Sequence, residues 1–141
     1  MTEFSFQTEV NASPEEIWAM YANPENRFKW ESDLEHIKLN GEFISGVTGC
    51  MKLKGMPAME FTLTYVKNCE EFWDKTEVPE KGMALCFGHT LTRLNNKTLI
   101  KHTVKLEKSK GDITEDDINF LFQVFKDTPD AILAIKKEVE Q

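Results

Sequence analysis

The chain has 141 residues, 40% of them hydrophobic and 29% charged, with a formal net charge of −7. That length suits a single domain spanning residues 1–141 with one core, and the composition excludes a disordered chain. No apolar run approaches the roughly 20 residues of a membrane-spanning helix, and the acidic balance argues against nucleic acid or an anionic membrane surface as partner.

The opening segment, Thr2 to Val10, alternates Phe4, Phe6, Thr8 and Val10 with Glu3, Ser5, Gln7 and Glu9, the pattern of a half-buried strand. It carries no basic start or apolar stretch and does not read as a signal peptide. In the next segment Ser13 is placed to cap a helix, Pro14 fits its first position and Glu16 completes a capping box. The helix carries Ile17, Trp18, Met20 and Tyr21 and stops near Asn23-Pro24; a short helical turn from Pro24 to Phe28 leads to Trp30. Strands follow near 34–40, 46–54, 58–67, 70–78, 82–94 and 97–107, punctuated by Asn40-Gly41, Gly55-Met56-Pro57, Lys67-Asn68, Pro79 to Gly82 and Asn95-Asn96. Met59, Phe61, Leu63 and Tyr65 form one inward face, and Val47, Met51 and Leu53 another. The 70–78 strand can be read either way, because Phe72, Asp74, Thr76 and Val78 compete with Trp73 for the buried side. After Lys110-Gly111-Asp112, Thr114 and Asp117 form a second capping box. Ile118, Leu121, Phe122 and Phe125 then give a helical apolar stripe. Thr128-Pro129 should kink or restart that helix before Ile132, Ile135 and Val139 continue its apolar face.

Two histidines stand out within this pattern. His89 shares parity with Met83, Leu85, Phe87 and Leu91, and His102 shares parity with Ile100, Val104 and Leu106. A two-residue loop at Asn95-Asn96 pairs Leu94 with Lys97 and therefore sets His89 opposite His102. Opposed residues on one face have Cβ atoms roughly 5 Å apart, so two imidazoles should touch on an otherwise apolar face. Cys50 and Cys86 take the opposite parity and should point outward. The three cysteines are odd in number and show no CxxC spacing, which fits a reducing cytoplasmic location better than a disulfide framework. No metal site is expected, since no third ligand shares the histidine face, and no cofactor motif is present.

The run Ala12-Ser13-Pro14-Glu15-Glu16-Ile17-Trp18, followed by Asn23-Pro24-Glu25-Asn26 and Trp30, resembles the opening of START-like helix-grip proteins. This superfamily is also called SRPBCC, or the polyketide cyclase/dehydrase and lipid-transport superfamily. The Gly41 to Gly46 turn region and the segments Phe87-Gly88-His89 and Lys101-His102-Thr103-Val104 are similar to its later part. The resemblance implies an α+β helix-grip fold: a curved antiparallel sheet of about seven strands around a long C-terminal helix, two short helices after the first strand, and a cavity between sheet and helix. It also implies a choice of functions, since members bind lipids, sterols, hormones or polyketides, catalyse cyclisation, or act as chaperone activators.

The expected function is binding of a small apolar or amphipathic molecule in that cavity. The expected ligand-binding residues are His89, His102, Tyr65, Trp30, Phe61, Phe87, Met59 and Phe122. One alternative is a polyketide cyclase/dehydratase-like enzyme in which His89 and His102 exchange protons with a substrate. A second is a protein-interaction module with an exposed apolar patch. A third reading of the imidazoles is structural: a neutral pair satisfied by each other, a backbone group or a buried water. Asp74 is an orienting carboxylate for the pair only if its strand faces inward.

Overall fold

The computed structural model describes residues 2–141. Strand β1 (Thr2–Val10) is followed by helices α1 (Pro14–Ala22) and α2 (Pro24–Arg27). Then come β2 (Leu34–Leu39), β3 (Thr48–Leu53), β4 (Met59–Lys67), β5 (Glu71–Val78), β6 (Met83–Leu94) and β7 (Lys97–Lys108), and finally α3 (Glu115–Phe125) and α4 (Thr128–Val139). The strands form one antiparallel sheet in the order β1-β7-β6-β5-β4-β3-β2. This is the helix-grip architecture: two short helices after the first strand, and a sheet curved around the C-terminal helical segment.

Both capping boxes form, Ser13 with Glu16 at α1 and Thr114 with Asp117 at α3. The C-terminal helix restarts at Pro129 as anticipated, because proline has no N–H to donate and tolerates only the first turn. The result is α3 and α4 in succession, separated by Lys126-Asp127. Leu121 anchors α3, and Ile132 and Ile135 anchor α4; none of the three retains exposed surface. Helix α3 packs on β1 and β7, and α4 packs on β1, β7 and α1. Glu140, just past α4, accepts a 2.7 Å hydrogen bond from the backbone N–H of Asn11, tying the chain's end to the β1–α1 link.

The inner face of β5 carries Phe72, Asp74 and Thr76, all buried, and Trp73 lies outside. The neighbouring strand decides this. Trp73 pairs with Gly88 on β6, and a Cβ on Gly88 would sit 2.4 Å from the indole ring. The glycine leaves a flat seat on the convex face that the indole fills, with Lys105 Nζ 5.6 Å from its centroid.

Buried apolar side chains gather in two clusters. The larger joins α1 and α4 to the sheet through Ile17, Trp18, Tyr21, Trp30, Phe61, Leu63, Phe72, Ile100 and Ile132. The smaller lies under α3 around Leu85, Val104, Leu106 and Leu121. The polar site lies on the face of the sheet that both clusters share.

Candidate functional site

The β6–β7 hairpin turns at Asn95-Asn96, pairs Leu94 with Lys97, and brings His89 directly opposite His102. Asn95 takes a φ of 45°, a left-handed value that asparagine adopts more readily than most residues. The imidazole centroids are 4.7 Å apart and the rings meet at 73°, edge to face. Phe72, opposite His89 on β5, stacks on that imidazole at 3.8 Å with an interplanar angle of 4°. Its carbonyl oxygen lies 3.2 Å from His89 Nδ1. Tyr21 of α1 reaches across the interior and places its hydroxyl 2.8 Å from His102 Nε2. Trp30 closes the group, its ring 5.8 Å from that of His102 and its indole N–H donating to the Met20 carbonyl.

Charge enters from α2. Arg27 is only 4% exposed. It is paired with Glu31 through its Nε and sits over the Trp30 ring at 4.9 Å. Asp74 is 6% exposed and faces the same interior. Burial pushes the Asp74 carboxyl up to about 7, against the pull of Arg27 and with a small push from Glu31. Burial lowers His102 to about 3, aided by Arg27. It lowers His89 well below the usual imidazole value, aided by His102 and Arg27. Both rings are therefore uncharged at neutral pH. Tyr21 is raised by burial and keeps its proton. Burial works against the Arg27 charge, but Glu31 beside it more than offsets this and the guanidinium stays protonated.

Several hydrogen-bonding positions here have no partner among the described residues: His89 Nε2, His102 Nδ1 and both Asp74 oxygens. Among the described residues, every side-chain nitrogen or oxygen that is wholly shut off from solvent does have a partner. The unpartnered atoms therefore border space that a water-sized molecule can enter. The apolar surroundings point the same way. Ile37, Met51 and Met59 stand side by side in register on the concave face, and all three are only half-buried. Phe87, between Asp74 and Val104 in register, faces inward and is also half-buried. With α3 and α4 set on the β1–β7 side, the inner surface toward β2–β4 keeps some accessible area.

The sequence-predicted residues fall in different places. His89, His102 and Trp30 come together as one cluster. Phe61 is buried, its ring covering Gly49, where a Cβ would meet it at 2.4 Å. Met59 and Phe87 face the concave side. Phe122 is 48% exposed and packs edge-on against Phe4 of β1, with centroids 5.7 Å apart. Tyr65 corrects an expectation. The register of β4 against β5 shifts between Leu63 and Tyr65, so the side chain that alternation sends inward turns out, 45% exposed, and Val66 takes the inner side instead. The sequence pattern singles out neither Arg27 nor Glu31, and it places Tyr21 only among the large apolar side chains of its helix. The one signal is the i, i+4 spacing of Arg27 and Glu31, which an exposed pair shows equally.

Two surface depressions, about 380 and 550 Å³, lie elsewhere, around Arg93 and the start of α1. The Arg93–Glu15 ion pair spans that region in the open, and neither depression is lined by the imidazoles. Among the described residues no three His, Cys, Asp or Glu side chains converge as a metal site. No described helix is long and apolar enough to cross a membrane.

No family model matches the chain, and no curated protein matches it. Solved structures do. Aha1 from Colwellia psychrerythraea, solved as a dimer, superposes with a TM-score of 0.74 at 18% identity over 99% of this chain and 97% of that one. Ara h 8.0201 gives a TM-score of 0.75 at 11% identity, over 98% and 97% of the two chains. Norcoclaurine synthase from Thalictrum flavum, in complex with dopamine and hydroxybenzaldehyde, gives 0.71 at 14% identity, over 98% and 86%. At such identities the likeness establishes the helix-grip fold and leaves the activity open.

Proposed function

We propose that the protein binds a small molecule with an apolar body and a polar end, held between the concave face of the sheet and the C-terminal helices. The observation that carries this reading is a juxtaposition. Inward-facing Ile37, Met51, Met59 and Phe87 keep accessible apolar surface, and unused hydrogen-bonding atoms of His89, His102 and Asp74 lie on the same concave face. Apolar walls supply affinity at about 25 cal/mol per Å² before the costs of association, and the few polar groups fix orientation. The norcoclaurine synthase structure, with its two small aromatic molecules, is a precedent for the fold holding such ligands. Tyr65 and Phe122, both exposed, are not among the groups this reading uses.

The test is a titration with N-phenyl-1-naphthylamine, an apolar probe that fluoresces on leaving water. Saturable one-to-one binding is expected. Met59→Trp, which fills the hollow from its wall, should weaken it about tenfold or more without lowering the melting temperature. Binding that does not saturate, or that ignores Met59→Trp, contradicts the reading.

A second reading, proton transfer on a bound carbonyl compound, is favoured by one observation: Asp74 is held near 7, where a carboxyl serves as acid or base at neutral pH. Turnover of a carbonyl substrate that disappears in Asp74→Asn while probe binding survives would establish it.

A further inference from the structure

We propose that the imidazole pair is a hydroxyl-recognition subsite, in which His89 Nε2 accepts a hydrogen bond from, and His102 Nδ1 donates one to, the same alcohol or phenol oxygen of an apolar ligand. The proposal rests on the binding reading above and names the ligand's polar end.

The hydrogen bonds fix the proton positions. The Phe72 carbonyl can only accept, so the 3.2 Å contact requires the proton on His89 Nδ1. The ring is uncharged, which leaves Nε2 as a bare acceptor. The Tyr21 hydroxyl keeps its proton, and its one partner among the described residues is His102 Nε2; donating there pairs the buried O–H, which accepting from the ring would leave without a partner. His102 is also uncharged, so its own proton sits on Nδ1 as a donor. Two contacting rings thus present one acceptor and one donor, and both free nitrogens border accessible space.

A hydroxyl is the group that answers both. An ether has no proton for His89, and a carboxylate offers a second set of lone pairs to a nitrogen that already has one. The rings are also held in place before a ligand arrives. Phe72 stacks on His89, and Tyr21 lies 5.4 Å from His89 and 5.7 Å from His102, centroid to centroid. Preorganised donors and acceptors of this kind discriminate strongly, because a ligand lacking the group leaves buried polar atoms unpaired. Tyr21 and the Phe72 carbonyl act as positioning groups.

Two measurements test this. In protein labelled with ¹⁵N-histidine at pH 7, both buried rings are expected as neutral Nδ1–H tautomers; an Nε2–H tautomer or an imidazolium at either ring overturns the assignment. In binding assays, 2-naphthol should bind at least about tenfold more tightly than 2-methoxynaphthalene. His89→Phe, which keeps the stack on Phe72, should erase that difference while leaving the ether's affinity in place. If naphthalene, the ether and 2-naphthol bind alike, the cavity reading stands and the subsite falls. If none of the three binds, the cavity reading itself fails and the subsite with it. Tighter binding of 2-naphthylamine or 2-naphthoate than of 2-naphthol moves the polar end to Asp74 or Arg27 and also overturns the proposal.

Discussion

Replacing Arg27 with methionine is expected to lower the stability of the fold by about 3 kcal/mol. The guanidinium sits at the end of the four-residue α2 with its side chain 5% exposed, and Glu31 beside it is 23% exposed. Removing one member of a buried pair strands the other, and such losses run at about 3–5 kcal/mol. The residual exposure of Glu31 sets the lower end of that range. The contact of Arg27 with the Trp30 ring disappears as well. Asp74 loses the cation that opposes its burial and is driven further toward its neutral form. Urea denaturation at constant m measures the change. The double variant Arg27→Met/Glu31→Leu should recover much of the loss, because it removes both charges and keeps apolar volume. A loss under about 1 kcal/mol for the single variant would mean that the pair behaves as a solvent-screened surface bridge.

Acid is expected to weaken the fold through the imidazole pair, with Asp74 pulling the other way. In the folded chain both rings titrate below the ordinary imidazole value, so between that value and the folded one the unfolded chain holds more protons. Their contribution is intact above about pH 6.5 and falls with pH by about 1.4 kcal/mol per pH unit for each ring. Asp74 is raised to about 7 from 3.8, so the folded chain holds the extra proton in that window and stability grows as pH drops through it. Two rings against one carboxyl leave a net loss of about 1.4 kcal/mol per pH unit between roughly pH 6 and 4.5. Arg27, which faces all three groups, stays charged throughout. Asp74→Asn removes the opposing contribution and should about double the slope, and His102→Phe should flatten it. A level stability profile in the wild type, or a shallower one in Asp74→Asn, contradicts the proton assignments.

What the sequence made legible was period and spacing. Alternation along 83–94 and 97–107 needed only a two-residue turn to place His89 across from His102, and that is the register formed. Proline at 129 marked the helical break. Facts that depend on a neighbouring strand stayed out of reach. The facing of β5 turns on whether Gly88 can seat Trp73, and Gly88 lies on a different strand. Tyr65 follows alternation until an irregular step after Leu63, where Ser45 of the β2–β3 loop accepts from the Val66 N–H and nothing in the local pattern announces it. Arg27 is the largest omission. A short turn containing Arg and Glu at i, i+4 reads as solvent-facing, and only the packing of α2 against β2 and α1 encloses it.

The central claim is that a small molecule enters the hollow on the concave face, and the methionines allow it to be tested position by position. Met51 and Met59 line the proposed hollow, Met20 lies in the closed core, and Met56 is 49% exposed on the β3–β4 turn. In protein labelled with ¹³C at the methionine methyls, titration with N-phenyl-1-naphthylamine should shift Met51 and Met59 together, saturably, and leave Met56 in place. Shifts confined to Met56, or a probe that binds without moving Met51 and Met59, would put the ligand on the outer surface and contradict the account.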